Sequence, residues 1–150
     1  MKRLLDIVLP DKLFMGQKDF QQFTIIQNMI DQLKIPTELV VCDIMREKSG
    51  LAMSSRNVRL SEKGRKAATL LHETLQAAKE KVNSSTPDKV EKWAMKELSA
   101  PGFEPEYFTI ADGDTLQPIK EFSDTDYVVA CLAVWHEGVR LIDNIILKQK

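Results

Sequence analysis

The chain is short of several things, and each shortage removes a class of explanation. It has two cysteines, Cys42 and Cys131, far apart and in apolar runs. A disulfide framework or thiolate metal site therefore has no support, and buried free thiols in a reducing compartment are expected. It has two histidines, His72 and His136. Neither has a second candidate ligand or acid–base partner two or three residues away, so both read as structural or surface residues, His72 inside a helix and His136 in a hairpin loop. There is no cationic surplus: 21 Lys and Arg face 22 Asp and Glu, for a formal charge of −1. Nothing in that balance draws the chain to nucleic acid or an anionic membrane. No apolar run approaches the ~20 residues of a membrane span. No cleavable leader is visible, so a cytoplasmic location is expected. No repeat or low-complexity tract occurs.

What is present is a globular composition, 43% apolar and 29% charged over 150 residues, enough for one domain or one and a fraction. The first apolar run, Leu4, Leu5, Ile7, Val8 and Leu9, begins almost at once and reads as a short amphipathic helix ended by Pro10. So abrupt a start is expected of a piece of something longer. Lys12–Met15 is a short strand stopped by Gly16, and Asp19 a helix N-cap or first-turn acid. Phe20, Phe23, Ile26, Ile30 and Leu33 then recur at spacings of three and four, one face of a helix that Pro36 terminates. Glu38–Met45 is apolar and β-branched without alternation, as in a parallel strand buried on both faces. Together these make one βαβ unit, which cannot bury its own sheet faces: further strands come from elsewhere, or this part is marginally stable.

After Asn57 the pattern changes. Residues 61–82 read as one long amphipathic helix capped by Ser61, with Ala67, Ala68, Leu70, Leu71, Leu75 and Ala78 as its apolar stripe. Asn83–Pro87 is a break. Thr86 and Pro87 open a second helix that runs to about Leu98. Residues 106–111, 127–135 and 139–147 read as strands, with a turn at Asp112–Asp114 and a hairpin loop at His136–Gly138. The expected fold is thus α/β plus α+β: residues 1–58 as the incomplete, residual βαβ part of a Rossmann-like nucleotide-binding domain, and residues 59–150 as a small domain with two helices on an antiparallel sheet.

The chemistry concentrates in two segments. Gly50–Asn57 reads GLAMSSRN. A glycine turn, two hydroxyls and a guanidinium can together meet several oxygens of one polyanion. Met15–Gln22 reads MGQKDFQQ and falls where a first strand passes into a helix, the ligand-facing edge of open α/β sheets. Here Lys18 offers a cation and Asp19 an acceptor for ribose hydroxyls, and Gln22 follows one turn later. If the two strands are parallel neighbours, both loops open at one sheet edge and Lys18 and Arg56 would converge there. The competing reading of each segment is a plain polar loop and a plain helix start.

With RLIDNI at 140–145, these segments closely resemble the pantoate–beta-alanine ligases, or pantothenate synthetases, in order and spacing. The resemblance is to the C-terminal half and runs over essentially the whole chain. The serine-rich loop is also similar to the KMSKS-type signature of class I aminoacyl-tRNA synthetases and their nucleotidyltransferase relatives. The resemblance implies condensation of pantoate with beta-alanine, using ATP and Mg2+ as a substrate complex, with no tightly bound cofactor and no protein-held metal. Pantoate attacks the α-phosphorus to give pantoyl adenylate and pyrophosphate, and beta-alanine then displaces AMP. By the same resemblance Gly16, Gln17, Lys18 and Asp19 line the ATP site, and Gln22 holds pantoate. Met45 touches adenine through its backbone, and Met53, Ser54, Ser55 and Arg56 close over the phosphates. Lys18, Ser54, Ser55 and Arg56 are the implied catalytic set.

The family's His-x-Gly-His stretch is absent. The expectation is therefore half an active site, inert alone, whose partner is the missing N-terminal half. A homodimer is one assembly the resemblance allows, since family members are often dimers. Two other readings compete: a non-enzymatic α+β association module, and a piece of another adenylyl- or nucleotidyltransferase.

Overall fold

A computed structural model describes residues 1–149. The chain divides into two compact units, Met1–Ile44 and Met45–Lys150. The change of composition predicts a boundary after residue 58 instead. The difference has a physical cause, because Leu51 joins the second unit's core and Arg46 pairs with its Asp143.

In the first unit, helix α1 spans Lys2–Val8 and ends at Leu9, whose left-handed backbone returns its N–H to the Leu5 carbonyl at 2.8 Å. Strand β1 (Lys12–Gly16) runs parallel to β2 (Glu38–Cys42), in register from Lys12↔Glu38 to Gly16↔Cys42, and α2 (Phe20–Leu33) connects them. The strand-helix-strand order is as expected, but the core is small. Leu5, Ile26 and Ile30 are its buried members, with Leu13, Met15, Met29, Ile35 and Leu39 packed around them. The sheet is not covered on both faces as its composition suggested. Phe14 is 64% exposed and Val41 40%, because two strands and one crossover helix cover one face only. For the same reason Cys42, expected to be buried, is exposed at the end of β2. β2 stops there instead of reaching Met45. Leu33 is half exposed, since the chain leaves α2 at left-handed Lys34.

In the second unit the expected long helix is two. Ala68 (ψ −7°) breaks 61–82 into α3 (Glu62–Ala67) and α4 (Thr69–Glu80). The break leaves Ala67 exposed while Ala68, Leu71, Leu75 and Ala78 are buried. Ser61 caps α3 as expected, its Oγ accepting the Gly64 N–H at 2.9 Å. Helix α5 (Pro87–Leu98) has Thr86 at its N-cap position, without a side-chain capping bond. Strands β3 (Phe103–Asp112), β4 (Val128–His136) and β5 (Val139–Lys148) form an antiparallel sheet in that order. Val128, Ala130, Leu132 and Val134 of β4 join a core with Leu71 and Leu75 of α4 and Val90, Ala94 and Leu98 of α5. The β4–β5 turn is only Glu137–Gly138, both at positive φ (49° and 70°), as a two-residue type I′ hairpin requires. His136 is therefore not a loop residue. It ends β4, stacks on Phe103 (3.9 Å between centroids) and donates from Nδ1 to the Gly102 carbonyl at 2.7 Å. Among the described residues no helix is long and apolar enough to cross a membrane.

Candidate functional site

The serine–arginine segment is a narrow loop built onto the second unit. Met53 N–H donates to the Met45 carbonyl (2.9 Å) and Glu47 N–H to the Leu51 carbonyl (2.8 Å), and the turn between closes with Gly50 N–H on the Glu47 carbonyl (2.9 Å). Gly50 is required here twice over. Its φ is +92°, and a Cβ would come within 2.6 Å of the His72 ring. Burial of Leu51 and Leu60 seats the two ends of the segment. Between them Ser54 caps a 3-10 turn, Ser55–Arg59, its Oγ accepting the Arg56 N–H at 3.2 Å.

Two polar ties fix the base of this loop. Arg46 holds Asp143 of β5 with both guanidinium arms, Nη1 to Oδ2 at 2.6 Å and Nη2 to Oδ1 at 3.0 Å, and also donates to the Gly50 carbonyl at 3.1 Å. Asp143 is 3% exposed, and a carboxylate so buried needs such a partner. The second tie is Glu47, whose Oε1 accepts from Asn57 Nδ2 (3.0 Å) and from Arg65 Nε and Nη2 (3.2 and 2.9 Å). Asn57 also donates to the Ala52 carbonyl at 3.1 Å. The Asn57 amide, more than the Arg65 guanidinium, holds the Glu47 carboxyl below its ordinary range. His72, under Gly50, is pushed down by burial and then by the Arg46 charge, so it is neutral at pH 7.

What projects is the tip Met53–Arg56. Ser54 is half-buried, while Met53, Ser55 and Arg56 are exposed. The Arg56 guanidinium has no ion pair among the described residues. Beside the tip lies an open depression of about 480 Å³ lined by Glu47, Met53, Ser54, Ser55 and Arg65. Two hydroxyls and an exposed guanidinium can bind an anion, and the Glu47 carboxylate that lines the depression is engaged by Asn57 and Arg65.

In the first unit, Gly16 ends β1 and Gln17–Asp19 form a single 3-10 turn leading into α2. Gln17 and Lys18 are half-buried, Asp19 and Gln22 exposed. Asp19 occupies the N-cap position of α2 but makes no side-chain capping bond. Nothing lies within 4 Å of where a Gly16 side chain would start. The unit thus brings Gly16, Gln17, Lys18 and Asp19 together at the end of β1, with Gln22 in the following helix. Met45, 70% exposed, begins the second unit. Among the described residues no group of three or more His, Cys, Asp or Glu side chains is placed to hold a metal ion.

Sequence reasoning passed over Arg46, Glu47, Arg65 and Asp143, and gave Asn57 no role. One signal was available: an aspartate in the apolar run VRLIDNIIL demands a buried cationic partner.

Against known proteins, the pantoate-beta-alanine ligase family is matched over residues 1–146. The pantothenate synthetase of Bacteroides thetaiotaomicron is 43% identical over 150 residues, and that of Porphyromonas gingivalis 42% over 146. These alignments take in 99% and 97% of this chain but only 53% and 52% of those proteins, so the chain spans about half the length of the relatives it matches. Among solved structures, pantothenate synthetase from Thermus thermophilus superposes with a TM-score of 0.89 at 32% identity, covering 98% of this chain and 53% of that one. A Francisella tularensis pantoate-beta-alanine ligase complexed with beta-gamma ATP and beta-alanine gives 0.66 at 27%, covering 97% and 47%.

Proposed function

Because the chain belongs to the pantoate-beta-alanine ligase family, we propose that it is the C-terminal half of an enzyme joining pantoate to beta-alanine through a pantoyl adenylate. A pantoate carboxylate oxygen attacks the α-phosphorus of ATP, and the bond to pyrophosphate breaks. The beta-alanine nitrogen then attacks the acyl carbon and loses a proton, and AMP leaves as the amide forms. Attack of one anion on another requires charge neutralisation. Lys18 and Arg56 supply it, with Met53, Ser54 and Ser55 closing over the phosphates. Magnesium, as part of the ATP substrate complex, would add to that neutralisation of phosphate charge. Gly16, Gln17 and Asp19 serve the nucleotide, Asp19 at the ribose, Met45 meets adenine through its main chain, and Gln22 holds pantoate. The parallel pair β1–β2 with α2 fits the remainder of a Rossmann-like domain.

The observation that carries this reading is the projecting Ser54–Ser55–Arg56 tip, with Ser55 and Arg56 exposed, on its fixed base, in a chain matched to the family over residues 1–146. The isolated chain is inert, because it carries only part of the site. Loss of two or three charge-assisted hydrogen bonds at about 1.5–3 kcal/mol each weakens ATP binding at least a hundredfold. Calorimetric titration with Mg·ATP should show no micromolar affinity; finding it would overturn the half-site reading. Mixing the chain with a separately made N-terminal half of a relative should restore beta-alanine-dependent AMP release. In that mixture Arg56→Ala and Lys18→Ala should slow pyrophosphate release far more than they alter unfolding. A complement that co-elutes with the chain yet yields no AMP would overturn the ligase reading.

A second reading rests on the apolar surface of the first unit. Leu4, Ile7, Val8, Leu9 and Phe14 are all more than half exposed, as in a module that associates with another chain. Its signature is concentration-dependent oligomerisation that nucleotide does not alter.

A further inference from the structure

One oxygen of Glu47 receives three N–H groups from both flanks of the serine–arginine tip. Asn57, 1% exposed, stands immediately after the tip, and Arg65 reaches in from α3. The Glu47 main chain is held as well, its N–H on the Leu51 carbonyl across the loop. Yet Glu47 also lines the depression beside Ser54 and Ser55. A carboxylate there repels any polyanion that enters, so its charge alone works against binding. Nor is general stability its evident purpose, since a half-exposed arginine pair contributes little.

We propose that Glu47 is a positioning residue: by holding Asn57 and Arg65 it sets the Ser54–Ser55–Arg56 tip for phosphate oxygens before any ligand arrives. The inference rests on the reading of that tip as phosphate-binding. A preset tip spares the ligand the cost of ordering four residues, and donors already in place are the ones that stabilise developing charge. The Glu47 carboxyl, held low by Asn57 and Arg65, stays ionised throughout the neutral range and keeps the tie closed.

The alternative, Glu47 as a mere neighbouring charge, gives the opposite sign. Glu47→Gln keeps the size of the side chain and an acceptor for Asn57 but forfeits the ion pair with Arg65. In the whole 150-residue chain, with inorganic pyrophosphate as probe, positioning predicts that this variant binds about three- to ten-fold more weakly, whereas removal of a repulsive charge predicts tighter binding. Without ligand, the amides of Met53, Arg56 and Asn57 should exchange about ten-fold faster in the variant while those of α4 and α5 do not change. Unchanged exchange at those three amides overturns the proposal whatever the affinity. Faster exchange with equal or tighter pyrophosphate binding overturns it as well. If the unaltered chain shows no response to pyrophosphate at 53–57, the phosphate reading of the tip fails separately, and the exchange comparison still decides whether Glu47 sets the tip. Should Glu47→Gln not fold, Arg65→Ala removes the outer half of the tie from a half-exposed position, and the same three amides should again exchange faster.

Discussion

The two units treat their apolar residues in opposite ways. The second encloses Leu71, Leu75, Leu98, Ile110 and Leu132 at 1% exposure or less between its helices and sheet. The first buries Leu5, Ile26 and Ile30 but leaves Ile7, Leu9 and Phe14 at 71%, 73% and 64% exposed. A three-stranded antiparallel sheet with helices on it closes a core, while two parallel strands with one crossover helix do not. The functional consequence lies in where the serine–arginine loop is attached. Its base, Arg46 to Asn57, is tied to the unit with the closed core, so the loop inherits that unit's rigidity.

The contrast can be sharpened by substitution, with Trp93 and Trp135 reporting on the second unit alone, where both lie. The largest effect belongs to its centre. Leu75→Ala should cost about 2–5 kcal/mol in denaturant titration, since no solvent reaches that side chain to relax the cavity. Asp143→Ala should follow at about 2–4 kcal/mol, because it strands Arg46; the loss is tempered by the partial exposure of that arginine. Gly50→Ala should cost about 1–3 kcal/mol through positive-φ strain and the His72 ring, and should perturb His72 resonances. Acid should act more gently. The Glu137 carboxyl, held by the Ser61 hydroxyl and N–H, and the Glu47 carboxyl both sit below the ordinary 4.5. Their folded-state values lie under the unfolded ones, so their contribution is complete above 4.5 and is lost as pH falls through the lower, folded values. His72, held below 6.5 by burial, adds an earlier loss, because below that pH the unfolded chain takes up a proton that the folded one resists. Unfolding midpoints should therefore begin to fall below about pH 6.5 and fall further below the mid-fours, and a first fall that persists in His72→Gln would assign it to other groups. Smallest of all, Leu9→Ser should shift the tryptophan transition by less than about 0.5 kcal/mol. A larger shift would show that the first unit's surface matters to the second.

Much of this contrast was legible in the chain. The periodicity of Phe20–Ile30 and the Ser61 cap were read correctly because they are local, set by side-chain spacing and one hydroxyl. The inability of a lone βαβ unit to cover itself was also apparent, although β2 was still expected to be buried on both faces: composition reports what a strand can bury, not whether a covering layer exists. The break at Ala68 escaped notice, since alanine is a good helix former and the bend is tertiary. MGQKDFQQ and GLAMSSRN are the two segments on which the proposed site rests. The ties beneath the second did not show, because Arg46 and Asp143 lie 97 positions apart and only folding pairs them.

The most direct test of the account is to make residues 45–150 alone. They should unfold in a single cooperative transition, and the amides of Met53, Arg56 and Asn57 should stay as protected as in the 150-residue chain. If that segment is unfolded, or folds with those amides exchanging freely, the loop does not belong to the second unit and the central claim fails.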